Sequence, residues 1–217
     1  MLTYNTTDSP KTGIGYETVS ILAANGCTVY LAGRGDLAPA IKSLRARPGM
    51  AAADLRPLAL DLSSTPTSLA GAAAFPRDSR LDILIANAGI ALDVRTGVSA
   101  EGWEHHFQTN QLGHFAFVTA LLPAVERTAA AHGEARIAIV GSEAAGFHRG
   151  PLDYDALRAD VPAGATGLVA GMRRYGASKL AAMVFAHELA RRLAARGIAN
   201  VYVNSPNPGE TSPRRRL

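Results

Sequence analysis

The chain has 217 residues, 47% of them hydrophobic and 18% charged, which excludes wholesale disorder and supplies apolar material for one packed core. The formal net charge is +4, and Arg214, Arg215 and Arg216 supply three of those charges, so the basic balance describes a tail and does not argue for a nucleic-acid surface. Cys27 is the only cysteine, which excludes an intrachain disulfide and a cysteine cluster for zinc and sets a reducing, cytoplasmic compartment as the expectation.

The amino end, MLTYNTTDSPK, is polar and lacks the apolar run of a signal peptide, so the sequon Asn5-Thr6-Thr7 carries no weight. The longest uncharged stretch, His105 to Val125, holds three histidines, two glutamines and an asparagine, and is no membrane span.

Helical and apolar segments alternate along the chain. The pattern predicts a weak first strand within Met1–Thr7, then a helix over Tyr16–Asn25 stopped by Gly26. A short buried strand, Cys27–Ala32, leads to Gly33. A helix over Leu37–Arg47 breaks at Pro48, and a strand over Pro57–Leu60 runs into Asp61. A short helix over Leu69–Phe75 precedes the strand Leu81–Ala86. A long helix over Trp103–Leu122 is expected to stop before Pro123, followed by the strand Arg136–Val140. Gly146–Met172 is rich in Gly, Pro and Asp and reads as an irregular excursion. Tyr175–Arg196 is helical, with Ala181, Phe185, Leu189 and Leu193 on one face, and Asn200–Val203 is a last strand. Strands apolar throughout and separated by helices mean a parallel sheet covered on both faces. The expected fold is a three-layer, doubly wound α/β domain spanning residues 1–217, with no internal repeat and no linker.

Four features carry chemistry. Thr12-Gly13-Ile14-Gly15 opens a helix, where glycines let the backbone approach a pyrophosphate and the helix N-terminus favours its charge. Arg34 stands nineteen residues after Gly15 at the end of the second strong segment, where an acid would bind a ribose hydroxyl and an arginine suits a 2′-phosphate. Asn87-Ala88-Gly89 follows a strand directly, at the edge where open α/β sheets bind ligands. Tyr175 and Lys179 are four apart on a helix, so an ammonium beside a phenol is expected to lower the phenol pKa toward use as an acid or base. His105, His106 and His114 lack acidic or cysteine partners at ligand spacing, so no metal is expected.

Together these features resemble the short-chain dehydrogenase/reductase family over roughly Thr12 to Gly209, in the family's order. Asp61-Leu62 matches its adenine-contacting pair, Asn87-Ala88-Gly89 its N-A-G, and Pro208-Gly209 the P-G after the sixth strand. Asn110, Ser142, Tyr175 and Lys179 match its catalytic tetrad. The run Asn110 to Phe115, the phrase Tyr175 to Ala181 and the thirty-three residues between Ser142 and Tyr175 resemble the retinol-dehydrogenase and WW-domain-oxidoreductase-like branch. The resemblance implies NADP(H), preferred over NAD, bound by Ser9, Thr12, Gly13, Ile14, Gly15, Arg34, Asp61, Leu62, Asn87, Ala88, Gly89, Tyr175, Lys179, Pro208, Gly209 and Thr211. It also implies hydride transfer to a carbonyl of a lipophilic small molecule. Tyr175 supplies the proton, Ser142 orients the oxygen, and Lys179 holds the nicotinamide ribose and lowers the tyrosine pKa. Asn110 holds a helix distortion, and the helices of Asn110 and Tyr175 pair two copies of the chain.

The sequence departs from the family at three places. Asp8 and Ser9 stand where its glycine motif has Thr and Gly. The first strand is poor in Val and Ile. The chain stops eight residues after Gly209, without the family's covering helix and last edge strand, and Pro213 takes a position where a Thr is common. These departures keep two rivals in view: a cofactor-impaired binding or regulatory protein, and a non-redox enzyme that reuses the tetrad.

Overall fold

The computed structural model describes residues 2–3, 13–91, 98–158 and 167–209. Ser9, Thr12 and Thr211 lie outside the described residues. Six strands form one parallel sheet: β1 (Leu2–Thr3), β2 (Val29–Gly33), β3 (Leu55–Ala59), β4 (Ile83–Ala86), β5 (Ala135–Ile139) and β6 (Val201–Asn204). Their order is β3-β2-β1-β4-β5-β6, so the chain reverses direction across the sheet between β1 and β4. The helices are α1 (Ile14–Ala24), α2 (Ala38–Arg45), α3 (Thr65–Ala73), α4 (His105–Phe107), α5 (Gly113–His132) and α6 (Leu168–Ala195).

Side-chain alternation along the strands builds two cores. Val29 and Leu31 of β2 face one way and pack with Tyr16 and Val19 of α1 and Ile41 and Leu44 of α2. Ala32 of β2 and Leu84 of β4 face the other way and join Ala72 of α3, Phe117 and Val125 of α5 and Leu193 of α6. The sheet is thus sandwiched between α1–α2 and α3–α5–α6. The predicted inner face of α6 is in place: Ala181, Leu189 and Leu193 are buried and Phe185 packs beside them.

Several boundaries differ from expectation, each for a local reason. The described part of the first strand, Leu2–Thr3, is central: Leu2 pairs with Leu31 on one side and Ile85 on the other. Among the described residues, β6 is the sheet's edge. Helix α3 starts four residues early, because the Ser64 hydroxyl accepts the Thr67 N–H as an N-cap and Pro66 occupies the first turn. Pro123 does not end α5, which runs on to His132. Pro123 and Thr119, whose carbonyl it cannot serve, both lie on the exposed side of the helix, open to solvent. Helix α6 begins at Leu168, inside the expected excursion, with Gly167 as its N-cap.

Candidate active site

The carboxyl ends of the strands carry the predicted site residues. Gly13 caps α1 with φ of +96°, a backbone that side-chain-bearing residues rarely adopt, and Ile14 and Gly15 begin the first turn. These are the described part of the glycine motif. Arg34, at the end of β2, lines a cavity of about 480 Å³ together with Asp61 and Leu62 after β3 and Ala88 and Gly89 after β4. Five predicted cofactor residues from three strand ends therefore share one cavity, on both sides of the point where strand order reverses. Asn87 precedes Ala88 in the same segment, while Pro208 and Gly209 are exposed beyond β6 and do not line the cavity.

Helix α5 comes very close to this segment. A Cβ on Gly113 would fall on the backbone carbonyl oxygen of Leu62 and 2.9 Å from its Cα. Only glycine lets the start of α5 rest against the chain that presents Asp61 and Leu62.

The four tetrad positions gather beside the cavity. Helix α4 passes through a π-helical turn, Gln108–Leu112, before α5, and Asn110 stands at its middle. Such turns widen the helix and redirect one side chain. Asn110 is 2% exposed; its Oδ1 accepts from the N–H of Ile90 at 2.8 Å and its Nδ2 donates to the Ile90 carbonyl at 3.0 Å. Nδ2 also donates to Ser178 Oγ at 2.9 Å, and Ser178 in turn donates to the carbonyl of Tyr175 at 2.7 Å. A direct chain of hydrogen bonds thus joins the π-turn to the helix that carries Tyr175 and Lys179.

Ser142 follows β5, and its side chain hydrogen-bonds Tyr175. Lys179 is 6% exposed, donates to the Val140 carbonyl at 2.8 Å, and places its Nζ 5.8 Å from the centre of the Tyr175 ring. Burial pulls the Lys179 pKa down to about 8. Burial pushes the Tyr175 phenol up, with the Ser142 hydrogen bond acting against it. The net direction is therefore upward, opposite to the lowering expected from the lysine, because desolvation of the phenol outweighs the Ser142 contribution.

Sequence reasoning missed several residues of this neighbourhood. Ser178 enters the sequence reading only within the phrase Tyr175 to Ala181, with no role of its own. His114 looked like part of a motif, yet it is 2% exposed and its Nδ1 lies 3.1 Å from the Asn110 carbonyl. That contact makes Nδ1 the protonated nitrogen, while burial pulls the ring's pKa down to about 4. Glu104, His106 and Arg174 form a buried charged cluster beside Tyr175. The acidic neighbour of His106 was visible in the sequence, but a pairing two residues apart at a helix start is not a metal-ligand spacing.

Comparison with known proteins agrees with this geometry. Residues 10–152 match the profile of the short chain dehydrogenases, about two thirds of the chain. The chain belongs to that family. A short chain dehydrogenase/reductase of Colletotrichum higginsianum, dpchH, is 38% identical over 208 residues, covering 91% of this chain and 51% of its own length. The chain thus spans about half of that relative. Among solved structures, RhlG of Pseudomonas aeruginosa in its NADP active-site complex is 27% identical at a TM-score of 0.67, over 98% of this chain and 72% of RhlG. A protein from Mycobacterium paratuberculosis is 28% identical at a TM-score of 0.73, over 97% of this chain and 68% of its own. A Rossmann-like fold follows from this membership. Among the described residues no helix is long and apolar enough to cross a membrane.

Proposed function

We propose that this short chain dehydrogenase is an NADP(H)-dependent oxidoreductase that interconverts a carbonyl and an alcohol on a lipophilic small molecule, in the cytoplasm, with Tyr175 as proton donor and acceptor. The observation that carries the reading is the convergence of Asn110, Ser142, Tyr175 and Lys179 at the strand ends beside the Arg34 cavity. The residues present fit the cofactor: an arginine stands where a 2′-phosphate needs a cation, and Gly13 turns the chain into a helix start that favours a pyrophosphate. The NADP complex of the RhlG relative supports the same choice.

The reduced nicotinamide supplies a hydride to the carbonyl carbon. Every other task falls to this chain. Arg34 and the turn at Gly13 hold the adenosine end, and Asp61 and Leu62 shape the wall between them. Ser142 hydrogen-bonds the substrate oxygen and, through its bond to Tyr175, keeps the phenol pointed at that oxygen. Tyr175 is held protonated by burial, so it starts a reduction as an acid. Lys179, with a pKa near 8, binds ribose hydroxyls and exchanges protons close to neutral pH. Asn110 fixes the π-turn, and its main-chain carbonyl is held by His114 Nδ1.

Exposed Phe147, Leu168 and Val169 lie near Ser142 and Tyr175 along the chain and are apolar surface of the kind a lipophilic substrate would use. Exposed Phe115 on α5 and Val184 on α6 are the apolar surface through which two copies would pair.

The test is a titration of the full chain with NADPH and with NADH, read by tryptophan fluorescence and melting temperature, followed by a carbonyl screen with the wild type and Tyr175→Phe. Saturable stabilisation by NADPH is expected, because binding to the native state alone raises its stability. Tyr175→Phe should retain that binding and lose turnover. A cooperative melt that neither cofactor shifts, or turnover that survives Tyr175→Phe, would sink the reading.

A further inference from the structure

Glu104 and His106 are a buried acid and a buried imidazole that the mechanism above does not use. Glu104 is 3% exposed and His106 is 1% exposed. A carboxylate that deep costs several kcal/mol unless it is paired and hydrogen-bonded, and here it is both. Oε1 accepts from His106 Nδ1 at 2.7 Å and lies 3.4 Å from Arg174 Nε, while Oε2 accepts from the Phe107 N–H at 2.9 Å. Burial works to raise the carboxyl pKa, but the hydrogen bond and charge of His106 and the N–H groups of Phe107 and His106 outweigh it and hold Glu104 as an anion. Donation to that anion fixes Nδ1 as the protonated nitrogen and so fixes the plane of the imidazole.

The imidazole so fixed stands edge-on to Tyr175, with ring centres 6.3 Å apart and planes at 67°. Arg174, the second side chain on Glu104 Oε1, is the residue before Tyr175 in α6. One carboxylate therefore holds the tyrosine from two directions, through a ring against its ring and through the adjacent residue of its own helix. The carboxylate is anchored in turn: the Glu104 N–H donates to the Leu157 carbonyl at 2.8 Å, and Arg158 stacks 4.6 Å over the neighbouring Trp103.

We propose that Glu104, acting through His106 and Arg174, is a positioning residue that sets the orientation of the Tyr175 ring toward Ser142. The inference rests on the reading of Tyr175 as proton donor, and the experiment separates the two. The full chain is prepared with ring-13C tyrosine, and the Tyr175 resonance is assigned by its loss in Tyr175→Phe. Glu104→Gln keeps the volume, leaves the His106 ring present and removes the charge. In that variant the Tyr175 resonance is expected to move or broaden while the other tyrosine resonances stay in place. The kcat for carbonyl reduction should fall roughly 10- to 100-fold with the NADPH Kd held within about twofold, the signature of a misplaced acid. Arg174→Met, which leaves the Glu104–His106 pair whole, is the second variant and carries the same readout if Glu104→Gln does not fold. An unmoved Tyr175 resonance in a folded variant overturns the proposal, as does a general shift of all tyrosine resonances with a weakened NADPH Kd. A Tyr175 resonance that responds as expected in a protein that reduces no carbonyl upholds the positioning and defeats the redox reading alone.

Discussion

Asn110 grips the backbone of Ile90 at both of its polar groups, accepting its N–H at 2.8 Å and donating to its carbonyl at 3.0 Å. Ile90 follows the Asn87-Ala88-Gly89 segment, so the residue that shapes the π-turn also anchors the loop lining the cofactor cavity. Asn110→Ala leaves both Ile90 groups and Ser178 without this partner. Each polar group so stranded costs about 1–3 kcal/mol, and a loss of unfolding free energy of that order, seen as a lowered urea midpoint, is expected. NADPH affinity should fall in the same variant, because the loop loses its anchor. A full-strength Kd with a lowered midpoint would show that the loop holds its shape without Asn110.

Gly113→Ala places a methyl group against the backbone of Leu62. Backbone cannot swing aside as a flexible side chain does, so helix and loop must separate. Overpacking of this kind costs about 1–3 kcal/mol. The expected result is a lower melting temperature and a weaker NADPH Kd, since the displaced segment presents Asp61 and Leu62 to the cavity. Unchanged affinity in the folded variant would separate that segment from the cofactor.

His114 carries a pH dependence whose sign can be worked out. Its folded pKa, about 4, lies below the ordinary 6.5 of the unfolded chain. Between those values the unfolded state takes up a proton that the folded state does not. Native stability from this residue is therefore lost as pH falls from 6.5 toward 4, by about 3 kcal/mol over the window. Urea midpoints at pH 7 and pH 4.5 should diverge more for the wild type than for His114→Gln. Equal divergence would mean that other groups dominate the acid limb.

Arg34→Asp reverses the charge at the end of β2 on the wall of the cavity. Loss of a charged hydrogen bond to a phosphate is worth about 1.5–3 kcal/mol. The ratio of NADPH to NADH affinity is expected to fall by at least tenfold, measured by fluorescence titration with both. A ratio that does not move would take Arg34 away from the 2′-phosphate.

The sheet and its helices were readable because they follow short-range rules, whereas Asn110 and Ser142 entered only through the family resemblance. Buried parallel strands are apolar runs, α6 repeats its apolar residues every third or fourth position, and Tyr175 and Lys179 share one helix face by spacing alone. What escaped depends on partners far apart in the chain. The Ser178 hydroxyl joins Asn110 across 68 positions, and no local pattern marks it. Glu104 and Arg174 carry no signal of their own in the sequence, and His106 is considered there only as a metal ligand and set aside. Only the packing of α4 on α6 makes them a cluster. The phenol's net pKa direction was misjudged for the same reason: a neighbouring lysine shows in the spacing, but burial of the ring does not.

The central place of β1 has a mechanical consequence. In it, Leu2 pairs with Leu31 of β2 and Ile85 of β4, and Thr3 pairs with Ala32. Strand β1 is thus the seam between a lobe of β2, β3, α1 and α2 and a larger lobe of β4, β5, β6, α5 and α6. Arg34 stands on one bank of the seam and Ala88 and Gly89 on the other. A dinucleotide laid across it acts as a rivet, and the grip of each lobe on the ligand becomes grip of the lobes on one another.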